Sequence, residues 1–265
     1  MIKRVLKSLL PLAYLEEPFK YKMADKAQIR KYRNKFKGKR CFVVGNGPSL
    51  NKLDLSLLEN EYSFGVNGIF YKTEEMGYKP TFYVVEDIHV VNDNIDAINK
   101  YEAEHKFFPS IYWPKIKNNS RTIFFNMNRS FYESTSSYYT IPRFSADCSE
   151  RIYCGQSVTI INLQLAYYMG FEEVYLVGMD FSYQIPDSAD IEGNHITSRE
   201  DDLNHFHPDY FGKGKKWHDP KLDRVLKSYK MAKLMFELDG RKVINATYGG
   251  NLHIFDRVDF PKLFQ

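Results

Sequence analysis

The stretch Asn204-His205-Phe206-His207-Pro208-Asp209-Tyr210 and the run Gly212-Lys213-Gly214-Lys215-Lys216-Trp217-His218 put several titratable groups close together. Histidine is the side chain best matched to proton transfer near neutral pH. His205, His207 and His218 are therefore candidate general bases. Lysines set between glycines can fold over a pyrophosphate and neutralise a leaving group; the plainer alternative is a solvated, charged loop. His205 and His207 stand two apart, unlike the i, i+4 zinc pair of a helix, so no metal site is expected here.

A second constellation is Gly45-Asn46-Gly47-Pro48-Ser49-Leu50, directly after the apolar run Cys41 to Val44. Gly45 and Gly47 allow close backbone approach, and Asn46 tolerates a left-handed backbone. Pro48 fixes φ, and Ser49 can cap the next helical turn. A cup of N–H groups suited to phosphate or ribose oxygens is the expectation. The cup is not a standard fingerprint: Leu50 takes the place of the third dinucleotide-motif glycine, and no Gly-Lys-Ser/Thr follows. A tight turn without a ligand is the alternative.

Polar groups recur at other expected strand ends: Asn67, Glu86 with Asp87, and Asp180. In a parallel sheet these ends share one edge. Gly155-Gln156-Ser157 adds a helix N-terminus that can take an anion. Glu86 and Asp87 could hold Mg²⁺ across phosphates, with Asp180 as another candidate, although carboxylates at strand ends are also common helix caps.

The elements that must position these groups follow from the apolar pattern. Strands are expected at 41–44, 62–66, 81–85, 107–113, 122–125, 173–177 and 242–245. Helices are expected at 24–36, 70–76, 88–104, 158–169 and from Leu222 to about 238. Residues 126–150 fit no element, and 182–220 reads as one long loop, which in a compact domain is usually functional or mobile. Strands separated by helices predict a single α/β domain, a Rossmann-like doubly wound, mostly parallel sheet over residues 39–265. Residues 1–38 read as a helical appendage. Within it Ile2, Val5, Leu6, Leu9 and Leu10 share a face flanked by Lys3, Arg4 and Lys7. That pattern suits peripheral membrane contact through residues 1–12, or packing on the domain or a partner.

The 265 residues are enough for a sizeable core, and 43% hydrophobic content excludes a disordered chain. A net charge of +4 suits anionic small molecules or a membrane surface; without a basic stripe it argues against nucleic acid. Three unpatterned cysteines (Cys41, Cys148, Cys154) point to a reduced, cytosolic chain at, or free of, the membrane's inner face. No run approaches the roughly 20 apolar residues of a membrane span. The run after Lys7 is short and cut by Pro11, so no secretory signal is expected.

The ordered set Gly45-Asn46-Gly47-Pro48-Ser49-Leu50, Asn67, Gly155-Gln156-Ser157-Val158-Thr159 and Leu176-Val177-Gly178-Met179-Asp180 resembles the 6-hydroxymethylpterin diphosphokinase-like (MptE-like) domain. That domain occurs in bacterial surface-polysaccharide clusters and flagellin-glycosylation proteins. The set is also similar to the small bacterial lipooligosaccharide sialyltransferases, over roughly residues 38–260. The resemblance implies a sialyltransferase-like, GT-A-type variant of the fold. It implies a glycosyltransferase moving a sugar from a nucleotide donor, a CMP-sugar first, to a glycan or glycolipid acceptor in polysaccharide biosynthesis. Asn46, Asn67, Gly155, Gln156, Ser157 and Asp180 would bind the nucleotide. A late-loop histidine would be the base of an inverting step, His205 before His207 and His218, with Tyr183 and Tyr210 near the leaving phosphate. The tail Asn245-Ala246-Thr247-Tyr248-Gly249-Gly250-Asn251-Leu252 resembles the polysaccharide-cluster branch. No cofactor is required by this reading, and a homo-oligomer is compatible with it. Glu86-Asp87 stands where the sialyltransferases carry an uncharged residue, which keeps a Mg²⁺-dependent diphosphokinase open. A non-catalytic nucleotide- or glycan-binding module is the third reading.

Overall fold

In the computed structural model the described residues are 25–265. The helix and membrane contact expected over residues 1–12 lie outside them. In chain order the main elements begin with α1 (Lys26–Arg30), β1 (Arg40–Val44), β2 (Ser63–Val66), β3 (Phe82–Val84) and α2 (Ile88–Asp93). Next come α3 (Ile95–Lys100), β4 (His105–Pro109), β5 (Thr122–Phe125), β6 (Met127–Asn128), β7 (Ile152–Tyr153) and α4 (Val158–Met169). The chain then forms β8 (Glu173–Val177), β9 (Asp190–Glu192), β10 (His195–Thr197), β11 (Lys216–His218), α5 (Leu222–Leu238), β12 (Lys242–Asn245) and β13 (Asp256–Arg257).

Eight strands make one sheet in the order β13-β12-β8-β1-β2-β3-β4-β5. Every neighbouring pair in it is parallel. The fold is thus the expected Rossmann-like, doubly wound α/β sheet. Its central strands are buried on both faces, as sheets covered on both sides require. Alternate residues feed two cores. Cys41, Val43, Val174 and Leu176 face one with α4 and α5; Phe42, Val44, Tyr175 and Val177 face the other. In α4 every residue except Tyr167 is buried. Ile29, Tyr32 and Phe36, from the segment expected as an appendage, pack into the α4 side.

Several expectations need correction. The helix over 88–104 is two short helices, because Asn94 leaves helical geometry between them. The segment at 70–76 is only a 3₁₀ turn, Ile69–Tyr71, and turns. The strand expected to reach Trp113 stops at Pro109, which has no N–H for the ladder. Residues 182–220 hold a three-stranded antiparallel sheet, β9-β10-β11, too short and too exposed on β9 to leave a period. A further parallel strand, β13, follows β12. The irregular stretch 126–150 is pinned by the buried Gln164 of α4. Its Oε1 accepts from the N–H groups of Ser145 and Tyr153, and its Nε2 donates to the Tyr153 and Ile160 carbonyls. Among the described residues no helix is long and apolar enough to cross a membrane.

β2 to β5 extend the sheet one way from β1, and β8, β12 and β13 the other. The β1–β8 boundary is the switch point at which such sheets open a crevice. Its floor is a close backbone contact: Gly45 N–H donates to Val177 O at 2.8 Å and Gly47 N–H to Gly178 O at 3.0 Å. A Cβ on Gly45 would stand 2.6 Å from Gly178 O. Gly45→Ala should therefore cost at least about 2 kcal/mol of stability, read as a lower urea midpoint at unchanged slope. An unaltered midpoint would mean that the two strand ends separate freely.

Candidate functional site

The loops after β1, β2, β3 and β8 surround a cleft of about 600 Å³ at the switch point. The Gln156–Thr159 turn at the start of α4 and the loop before β11 complete its wall. Asn46, Asn67, Gln156, Ser157, Asp180, Tyr183, His205 and Tyr210 all line it, so side chains far apart in sequence meet there. Three non-glycine residues on its wall, Asn67 (φ 45°), Gln156 (φ 70°) and Phe181 (φ 53°), hold left-handed backbone. Such conformations cost energy and cluster at functional sites.

The expected N–H cup after β1 is engaged by the protein itself. Gly47 N–H meets Gly178 O and Leu50 N–H meets Gly47 O. Ser49 gives both its N–H (3.2 Å) and its hydroxyl (2.7 Å) to the Asp180 carboxylate. A Cβ on Gly47 would fall 1.8 Å from Asp180 Oδ2. The glycines thus admit the neighbouring turn and Asp180 takes the Ser49 donors, while Gly45 and Gly47 themselves remain on the cleft wall. Ser49 caps nothing; Gly47 precedes a 3₁₀ turn, Pro48–Lys52, with Pro48 at its start. Pro48 and Ser49 lie behind the wall, as does Gly155, where a Cβ would press on Ser228 Oγ at 2.8 Å.

Asn46 donates through Nδ2 to Val66 O (3.0 Å) and to the Tyr210 hydroxyl (2.9 Å). Asn67 Oδ1 accepts the Glu86 N–H at 3.1 Å. Asn46 Oδ1 and Gln156 Oε1 are buried acceptors without a partner among the described residues. Buried polar atoms are normally paired; two such acceptors beside one cleft suit a ligand that brings donors.

The late loop carries a residue the sequence reading missed. Asp202 Oδ2 lies 2.7 Å from His205 Nδ1 and also accepts the Phe211 N–H at 2.9 Å. Burial pushes the Asp202 carboxyl up, but its bonds to His205 and to the Asn204 and Phe211 amides outweigh that and hold it below its ordinary range. An ionised carboxylate only accepts, so Nδ1 carries the proton. In the neutral ring Nε2 is then a lone pair, 3.2 Å from the Tyr183 hydroxyl. The ring stacks on Tyr210 at 4.0 Å between centroids. The Tyr210 hydroxyl is itself tied to Asn46 and to Gly68 N–H. Tyr210 thus supports the histidine from beneath. Asn204 clasps both backbone groups of Gln184, which sets the neighbouring Tyr183.

His207 does not join the cleft; it stacks on Tyr71 at 5.0 Å. Nor do Lys213, Lys215 and Lys216. Lys215 turns to the Tyr71 hydroxyl and Asp209 O. The cationic groups that reach the cleft are Arg129 and Arg224. Both come from segments whose pattern gave no sign of a site. Asp87 is a helix cap: Oδ1 accepts the His89 (2.7 Å) and Val90 (3.3 Å) N–H groups. Beside it, burial pushes the Glu86 carboxyl up to about 7, helped by the Asp87 charge and opposed by Arg129 and the Tyr132 hydroxyl.

These features define an α/β domain with a polar, titratable cleft at its switch point. Within that class, the chain belongs to the 6-hydroxymethylpterin diphosphokinase MptE-like family, which it matches over residues 19–186. No curated protein matches it in sequence. Among solved structures it is similar to the MAf glycosyltransferase from Magnetospirillum magneticum AMB-1, at 12% identity and a TM-score of 0.48 over 89% of this chain. The chain spans 38% of that protein's length. It is also similar to the sialyltransferase CstII from Campylobacter jejuni, solved with cytidine-5'-monophosphate, at 14% identity and a TM-score of 0.44. That likeness covers 84% of this chain and 85% of the other.

A carboxyl whose pKa rises on folding binds its proton more tightly in the native state. Stability from Glu86 is therefore present below about pH 4.5 and is lost as pH rises through about 7. Glu86→Gln, which cannot ionise, should match the parent at about pH 4 and exceed it by on the order of 1 kcal/mol at about pH 8. Urea unfolding at the two pH values measures this; equal stability at both would mean Glu86 is freely solvated.

Proposed function

We propose that this protein is an inverting glycosyltransferase that moves a sugar from a nucleotide donor to a hydroxyl of a glycan or glycolipid in surface-polysaccharide assembly. The observation that carries the reading is the Asp202–His205 pair, with a proton-accepting Nε2 beside a cleft at the sheet's switch point. The ordered motifs shared with lipooligosaccharide sialyltransferases make a cytidine monophosphate sugar the first donor to try.

In the proposed step His205 Nε2 takes the acceptor hydroxyl proton. The freed oxygen pair bonds to the anomeric carbon, and the bond from that carbon to the donor phosphate oxygen breaks. Its electrons leave on the phosphate. A single displacement inverts the anomeric centre. Asp202 stays ionised, fixes the tautomer and balances the imidazolium. Arg129, Arg224 and the N-terminus of α4 are the groups able to meet the departing charge. Asn46 Oδ1 and Gln156 Oε1 would accept from sugar hydroxyls or a base amine. The step needs no metal. Three buried, unpaired cysteines suit a reducing, cytosolic setting.

The family description and the Glu86-Asp87 pair on the cleft favour a second reading, a Mg²⁺-dependent diphosphokinase acting from ATP. Against it, one oxygen of Asp87 caps α2 and both oxygens of Asp180 meet Ser49.

The test is turnover of a panel of nucleotide sugars without added Mg²⁺, alongside nucleotide-induced thermal shifts. His205→Ala should lower turnover by about 10²- to 10⁴-fold while keeping the nucleotide thermal shift. Near-parental rates would remove His205 from the base position. Pyrophosphoryl transfer appearing only with ATP and Mg²⁺ would put the second reading in place of the first, and binding without turnover would leave a recognition module.

A further inference from the structure

β10 and β11 pair antiparallel with His195 opposite His218. The ring of His89, in the first turn of α2, meets both: its centroid lies 4.5 Å from that of His218 and 5.6 Å from that of His195. The centroids of His195 and His218 are 4.9 Å apart. One nitrogen from each ring can be chosen so that all three lie within 4.8 Å of one another. Imidazole nitrogens at ~2.0–2.1 Å from a tetrahedral Zn²⁺ stand about 3.4 Å apart. Side-chain rotations of about 1 Å thus complete a site whose backbone is already in place.

One detail separates this trio from histidines that merely pack. His89 Nε2 and His218 Nδ1 are sealed from solvent and have no hydrogen-bond partner among the described residues. Orphaned buried nitrogens call for a partner, and histidine is the commonest metal ligand among side chains.

We propose that His89, His195 and His218 form a three-histidine site for a zinc-class divalent metal, with solvent in the fourth position. The metal ties the β9-β10-β11 sheet to α2. His218 of β11 and Asn194 in the turn between β9 and β10 line the cleft, so the tie braces the cleft wall and takes no part in the transfer chemistry. The site is independent of the glycosyltransferase reading.

The full chain, stripped with a chelator and dialysed, is titrated with Co²⁺ and followed by visible absorption. One equivalent should bind with the intense bands of a tetrahedral complex, Zn²⁺ should displace it, and Zn²⁺ should raise the melting temperature. His195 is exposed and off the cleft wall, so His195→Ala should keep the metal-free melting temperature. It should weaken Co²⁺ binding at least about tenfold, whereas His207→Ala should change nothing. No stoichiometric binding by the parent chain, or binding untouched by His195→Ala, would overturn the site.

Discussion

The contact on which the rest depends is the one between the ends of β1 and β8. Parallel strands on either side of a switch point send their loops in opposite directions, and a gap opens between them. Here two glycine N–H groups reach across to Val177 and Gly178, and Asp180 closes on Ser49. The gap therefore has a rigid floor, and Asn46 and Asp180 rise from it at fixed positions. The same turn anchors the late loop: Phe206 N–H donates to Asn46 O, and Asn51 donates to Phe206 O.

The charges around the cleft follow a common pattern. Each carboxylate expected to hold a metal or contact a nucleotide already has donors of its own: Asp180 has Ser49, Asp87 the first turn of α2. Glu86 is kept from ionising until near neutrality. Arg129 and Arg224 also reach the wall, and the carboxylate called on in the proposed step, Asp202, sits behind His205 and off the wall. Asp219, the remaining carboxylate on the wall, is likewise paired, with Lys221.

The sheet was legible because its strands are buried on both faces and so appear as short unbroken apolar runs. The spans expected at 122–125, 158–169, 173–177 and 242–245 agree with the structure residue for residue. The meeting of Asn46, Asn67 and Gln156 followed from that topology. What was not legible depends on side-chain partners. A Gly-Asn-Gly-Pro-Ser turn looks the same whether its N–H groups await a phosphate or already donate to Gly178 and Asp180. Asp202 sits among other acidic residues, with nothing in the pattern to mark it. His89, His195 and His218 lie in separate elements, and only the pairing of β10 with β11 and the placement of α2 bring them together.

A histidine on a loop is ordinarily placed less precisely than one on a strand or helix, and proton transfer tolerates little error in position. This loop overcomes that weakness by hydrogen bonds rather than by regular structure. Asp202 is held by two backbone amides and by its own N–H bond to Pro208 O. His205 is caught between that carboxylate, the face of Tyr210 and the edge of Phe211. Tyr210 presses so closely on Gly68 that a Cβ there would come within 2.5 Å of its ring. The imidazole is thus referred, through Tyr210 and Asn46, to the ends of β1 and β2 in the centre of the sheet. A loop of irregular backbone acquires in this way the positional fidelity of the parallel sheet beneath it.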